Sequence, residues 1–137
     1  MTSDSRGDSI GQTSSRAGWR AAYFTFQAVA TLAWWSLVAV SPAWRRAFAF
    51  GDDGRSLLPF LPGDMIFWLF GSLLAARAEW TAAPGRRAVR LVLGGAVAGS
   101  FVHAAAAAAC AEGGWSGVLL MAPAVLVTGW LAWCADR

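Results

Sequence analysis

The sequence contains no lysine, a single histidine and little charge of either sign. Charged residues make up 14% of its 137 residues, whereas a soluble domain carries about 25%. All eleven basic residues are arginines, a bias that we attribute to the codon usage of a GC-rich bacterial genome. The net charge of +3 does not indicate a nucleic-acid partner, because the placement of the arginines relative to a membrane accounts for it.

Cysteine is scarce as well, and this limits the chemistry further. Cys110 falls near the outer end of the third predicted span and Cys134 near the inner end of the fourth. The two thiols are therefore in opposite leaflets, too far apart for a disulfide. No CxxC pair is present, which argues against thiol redox chemistry. The lone histidine has no carboxylate at its depth in the membrane, so the sequence predicts neither a metal site nor a cofactor.

Apolar sequence, in contrast, is abundant. Hydrophobic residues make up 57% of the chain. They fall into blocks of about the ~20 residues that cross a bilayer, at 18–40, 63–82, 89–111 and 115–134. We therefore predict an all-α polytopic membrane protein, with four transmembrane helices in one antiparallel bundle (domain 18–137). Residues 1–17 are polar and lack an apolar period, which predicts a disordered cytoplasmic tail.

Arginine placement predicts the orientation of the bundle. One side of the membrane, which also holds both termini, has eight arginines: Arg6, Arg16, Arg20, Arg77, Arg86, Arg87, Arg90 and Arg137. Three fall on the other side: Arg45, Arg46 and Arg55. Because cytoplasmic loops carry the excess of basic residues, we predict a multi-pass protein of the cell (inner or plasma) membrane with both termini in the cytoplasm. Its basic turns should contact anionic membrane lipids.

The connection between the first two spans, residues 41–64, is predicted to face outward. Ser41 is predicted to precede a short interfacial helix. Pro59 and Pro62 should interrupt any helix before the second span. Asp64 is then predicted to cap that span by accepting backbone N–H bonds. In this interpretation the connection is a turn that binds no ligand.

The alternative for the same connection is an outward pocket for an anionic head group. Its residues would be three candidate ligands, Arg45, Arg46 and Arg55, and three candidate catalytic carboxylates, Asp52, Asp53 and Asp64. The paired aspartates can act as a base or hold a divalent cation against a diphosphate. Their spacing matches no recognised motif.

One face of the third span carries four residues at intervals of four, three of them small: Gly95, Gly99, His103 and Ala107. Small residues at this spacing let helices approach closely, so we predict that the face packs against another helix or a second copy of the chain. His103 is a candidate catalytic or proton-relay residue, because an ionisable group at this depth is costly. The alternative is a structural hydrogen bond, for which Ser72 is a candidate partner.

The first span has a polar stripe of Tyr23, Gln27 and Thr31, also at intervals of four. Such groups commonly join helices through hydrogen bonds, and Thr128 falls near the same depth. The alternative is that the stripe lines a small polar cavity. Three tryptophans are predicted to lie deeper in the membrane than the headgroup level: Trp34, Trp35 and Trp68. They either pack against other groups or line a cavity.

Three classes of function are compatible with this sequence. The first requires only the features present: a non-catalytic accessory or assembly subunit that contacts lipids and forms a homodimer or joins another membrane protein. The second is a membrane-embedded enzyme that acts on a lipid or isoprenoid. The third is a small transporter or flippase with a cavity between the polar stripe and His103. Because every carboxylate falls at a predicted helix end or in a loop, carboxylate-driven proton antiport is disfavoured.

Overall fold

The computed structural model describes residues 5–50 and 55–134, with side chains from 17 to 50 and from 56 to 134. These residues form five helices and no strand. The helices are α1 (Ser5–Val40), α2 (Pro42–Phe48), α3 (55–80), α4 (Arg86–Ala111) and α5 (Trp115–Trp133). Helix α1 begins inside the segment predicted to be disordered. Residues 5–17 belong to α1, and residues 1–4 lie outside the described residues. The disorder of the segment as a whole stays a prediction.

Four of these helices are long and apolar enough to cross a membrane: Ala17–Val40, Ser56–Trp80, Arg86–Ala111 and Trp115–Trp133. The distribution of side chains is the reverse of that in a soluble protein. Phe26, Val40 and Leu126 are 69%, 76% and 73% exposed, whereas Gln27 and Thr128 are buried. An apolar exterior around a partly polar interior is typical of a helix bundle surrounded by lipid.

Helix α3 begins earlier than predicted and contains both prolines. It starts with a 3₁₀ segment (Arg55–Phe60), continues through Leu61–Gly63, widens into π-helical turns (Asp64–Gly71) and ends as an α-helix (Ser72–Trp80). Pro62 lies in the first turn of the α-helical segment Leu61–Gly63, where the backbone donor that proline lacks is not needed. Pro59 lies inside the 3₁₀ segment, and the chain changes to α-helical geometry just after it. The prolines therefore coincide with a change of helix type rather than with a gap, and Asp64 is the first residue of the π-helical turns within α3.

Helix α4 packs against α5 through a face next to the one that the sequence predicts. Leu93, Gly94 and Val97 are buried. Gly95, Gly99 and His103 are exposed, and Ala107 is half-buried. A Cβ atom added at Gly95 or Gly99 would meet nothing within 4 Å. Packing of that outer face against a second chain stays a prediction.

The close approach of α4 to α5 predicts opposite effects for two neighbouring glycines. A Cβ added at Gly94 would lie 2.6 Å from the Cβ of Ala132, so Gly94→Ala should destabilise the bundle by about 1–3 kcal/mol through overpacking. Gly95→Ala should be neutral or slightly stabilising, because alanine is the better helix former by roughly 1 kcal/mol. Thermal unfolding in detergent, followed by circular dichroism, measures both. Equal melting temperatures would contradict this packing.

A buried ion pair joins the other ends of α3 and α4. Arg90 donates a hydrogen bond from Nη1 to Oε1 of Glu79, and each side chain is 1% exposed. Of the arginines near the start of α4, Arg90 pairs with Glu79 because it lies on the buried face of the helix, whereas Arg87 is exposed.

At the opposite end of the bundle, a tight turn joins α4 to α5 and supports the segment after α2. Glu112 and Gly114 have positive φ values of 51° and 76°. The ring of Phe50 packs over Gly114, where a Cβ would lie 2.4 Å from the nearest ring carbon. Ser116 donates a hydrogen bond of 2.7 Å to the carbonyl of Ala47. This turn therefore fixes the position of the chain that follows α2.

Candidate functional site

A cavity of about 300 Å³ lies inside the half of the bundle that adjoins α2. Its wall is formed by residues of α1, α3, α4 and α5, and by the chain at the end of α2. Cavities of this size lie at the lower end of the range of about 300–1,000 Å³ for small-molecule sites. The cavity is therefore large enough to hold a compact ligand.

Aromatic side chains form much of the wall: Phe26, Trp34, Trp35, Phe48, Phe50, Phe60 and Trp68. Several of them hold one another in place. The rings of Trp34 and Phe48 meet edge to face with centroids 4.5 Å apart, and those of Phe50 and Phe60 stack at 5.1 Å. Trp34, Trp35 and Trp68 thus line a cavity, which was the alternative interpretation of these tryptophans.

Asp64 is the carboxylate of the cavity wall. Trp35 donates a hydrogen bond of 3.0 Å from Nε1 to Oδ2 of Asp64, which ties α1 to the π-helical part of α3. Among the described residues, no ion pair is formed by this carboxylate. The sequence placed every carboxylate at a helix end or in a loop. For Asp64 that placement is wrong, because α3 begins nine residues earlier, at Arg55.

The polar stripe of α1 reaches the cavity through a chain of hydrogen bonds. The Tyr23 hydroxyl lies 3.0 Å from Oγ1 of Thr128, and Thr128 donates to Oε1 of Gln27 at 2.9 Å. Gln27 and Thr31 line the cavity. Nε2 of Gln27 is buried without a hydrogen-bond partner in the described part of the chain, as is Nε1 of Trp68. These donors add polar character to an otherwise apolar wall.

His103 also lines the cavity, together with Ser100 one turn earlier on α4. Its ring packs at 5.2 Å from that of Phe60, and its side chain is exposed. Ser72, the candidate partner, is fully buried and does not belong to the cavity wall. The structure therefore brings His103 together with Gln27, Thr31 and Asp64, and not with Ser72.

Two of the candidate head-group residues, Arg45 and Arg46, do not belong to the described cavity wall. Arg45 donates from Nη1 to the carbonyls of Val38 and Ala39 at 2.9 and 2.8 Å, so it satisfies the end of α1. Arg46 is exposed. Asp52 and Asp53, like the side chain of Arg55, lie outside the described residues. The helix predicted after Ser41 is present, and Oγ of Ser41 caps it by accepting from the backbone N–H of Trp44 at 3.2 Å.

The cavity opens through the side of the bundle. Some of the lining residues are also exposed on its outer surface: Phe26, Ala30, His103 and Leu120. We call these residues the side opening. Phe26, Ala30 and Leu120 of the side opening are apolar and belong to helices long enough to cross a membrane.

Metal coordination finds no support in the part of the chain that the structure describes. There, no three histidine, cysteine or carboxylate side chains are grouped so that they can hold an ion. Cys110 and Cys134 are free thiols. Comparison of the chain with protein-family models, curated proteins and solved structures finds no match. The cavity is therefore the feature from which a function is inferred.

Proposed function

We propose that this chain is a small membrane transporter or flippase that holds an amphipathic molecule in its cavity. One observation carries the proposal: a single cavity joins the polar stripe of α1, at Gln27 and Thr31, to Asp64 and His103 on α3 and α4. Apolar walls with a few placed polar groups are typical of small-molecule sites. The side opening supports exchange of the bound molecule with the lipid.

For the orientation, we propose an antiparallel bundle in a bacterial inner membrane, with both termini in the cytoplasm. The arginine distribution supports this arrangement. Helix α2 would then lie at the outer interface, and the cavity in the outer half of the membrane. The hydrogen-bonded chain from Tyr23 to Gln27 would extend from the cavity toward the inner half.

Filling the side opening should abolish ligand retention. Ala30 lies on α1 at the cavity wall and is exposed, so Ala30→Phe can block the opening without disturbing a packed core. Ala33→Phe is the matched control, because Ala33 is an exposed residue of the same helix outside the cavity wall. Native mass spectrometry of protein released from its own membrane should detect a bound small molecule in the wild type and in Ala33→Phe, and at least about tenfold less in Ala30→Phe.

The same measurement can contradict the proposal in two ways. A molecule retained equally by Ala30→Phe would not occupy the cavity. A wild-type protein without any bound small molecule would favour the accessory or assembly function, in which the chain binds another membrane protein or a second copy. That second candidate is supported by the exposed Gly95 and Gly99, where an added Cβ atom would meet nothing within 4 Å in the described chain.

An enzyme acting on a lipid or isoprenoid is less well supported. This function requires that carboxylates and arginines surround one outward-facing pocket. Asp64 and His103 share the cavity, but Arg45 is engaged with the end of α1. Among the described residues of the cavity wall, none is an arginine or lysine that could bind a diphosphate.

A further inference from the structure

We infer that the cavity selects a lipophilic cation, meaning an ammonium-type centre that carries apolar groups. This inference rests on the proposed function and names its substrate class. It follows from the charge of the cavity wall, from the aromatic faces around that charge and from the position of Asp64 within a membrane-spanning helix.

The charge on the cavity wall is unbalanced. Asp64 lies at the wall, and its described partner is the neutral indole N–H of Trp35. Among the residues that the structure describes, no arginine is part of the wall, and the chain has no lysine. An ionised carboxylate without a counter-charge is costly inside a membrane. A cationic ligand supplies that counter-charge, whereas an anionic ligand would be repelled.

The aromatic residues suit the same ligand. The face of an indole or phenyl ring attracts a cation by about 0.5–2 kcal/mol. Trp34 on α1 and Phe60 and Trp68 on α3 line the cavity with Asp64. Their apolar area also accommodates the hydrocarbon groups of the ligand. A neutral hydrocarbon would use these rings but leave the carboxylate unpaired.

The other polar groups of the wall do not change this selection. Gln27 and Ser100 are uncharged. His103 is the other titratable side chain of the wall, and its ring packs against Phe60 at the side opening. Selection by charge therefore depends on Asp64.

A pair of probes with one shape and different charge tests the inference. Phenyltrimethylammonium and tert-butylbenzene differ by a positive nitrogen in place of a carbon. Binding of each to the full chain in lipid nanodiscs is measured by equilibrium dialysis, with protein-free nanodiscs subtracted. The wild type should bind the cation more tightly than the hydrocarbon. Asp64→Asn, which still offers an oxygen to Trp35, should weaken cation binding about tenfold or more and hydrocarbon binding less than about twofold.

Glu112→Gln is the matched control, because Glu112 is an exposed carboxylate in the α4–α5 turn outside the cavity wall. It should bind both probes as the wild type does. If Asp64→Asn does not fold, the preference of the wild type between the two probes still decides the inference. Equal binding of both probes by the wild type would overturn the cation class and leave the proposed function intact. Absence of binding for both would overturn the proposed function as well.

Discussion

Replacing Arg90 with alanine is expected to remove about 3–5 kcal/mol from the free energy of unfolding, the range found when one member of a buried ion pair is deleted. The variant leaves the Glu79 carboxylate at a site where the side chain is 1% exposed. Ala76 and Leu93, three residues from Glu79 and Arg90 along the same helices, are also buried. Chemical or thermal unfolding in detergent micelles measures the loss.

Two further variants distinguish the effect of losing the ion pair from a general effect of removing an arginine. Arg87→Ala removes an exposed arginine from the first turn of the same helix, and should change stability by no more than about 0.5 kcal/mol. The double variant Glu79→Leu, Arg90→Leu removes both charges and should be more stable than Arg90→Ala. If Arg90→Ala unfolds like Arg87→Ala, the pair does not hold α3 and α4 together.

Alanine at position 114 is the second change with a large expected effect. Gly114 has a φ of 76°, a conformation that costs other residues roughly 1–2 kcal/mol. The added Cβ would also lie 2.4 Å from the Phe50 ring. We expect Gly114→Ala to lose about 2 kcal/mol or more of stability. Because Phe50 lines the cavity, binding of tert-butylbenzene should weaken as well.

The neighbouring glycine provides the control for that change. A Cβ added at Gly113 would meet its nearest atoms at 3.7 and 3.9 Å, which are ordinary van der Waals distances. Gly113→Ala should therefore retain both the stability and the hydrocarbon binding of the wild type. If the two alanine variants behave alike, neither the backbone conformation of Gly114 nor its contact with Phe50 constrains the turn.

Composition was sufficient to predict the four long apolar helices, because their number and approximate position follow from runs of hydrophobic residues. The start of α3 could not be predicted in the same way. Pro59 and Pro62 predict helix breaks, but in the structure they fall where α3 changes from 3₁₀ to α-helical geometry. Moving the start of α3 to Arg55 places Asp64 inside the helix and changes its role from a cap to a member of the cavity wall.

Helical periodicity also left the orientation of α4 undetermined. A period of four identifies residues that share a face, such as Gly95 and Gly99, but not which neighbour that face meets. The adjacent residue Gly94 is the one that contacts Ala132. A contact of this kind depends on how α5 approaches α4, and one sequence contains no direct signal for it.

The cavity itself was predicted only as an alternative. The spacing of Tyr23 and Gln27 indicated a polar stripe, and the depth of Thr128 indicated a partner for it; the structure joins these three side chains through hydrogen bonds. The hydrogen bond from Trp35 to Asp64 spans 29 residues and has no local pattern. The contact between Trp35 and Asp64 can be predicted only when the packing of α1 against α3 is known.

The side opening determines which concentration governs occupancy of the cavity. Phe26, Ala30 and Leu120 line the cavity and are exposed on the apolar exterior, so under the proposed function a molecule would enter from the acyl chains rather than from bulk water. Occupancy then follows the amount of ligand per lipid. A compound that partitions strongly into membranes saturates the cavity at a low total dose even when its contacts with the protein are weak. Adding empty vesicles should lower occupancy by dilution within the lipid, at constant protein and total ligand.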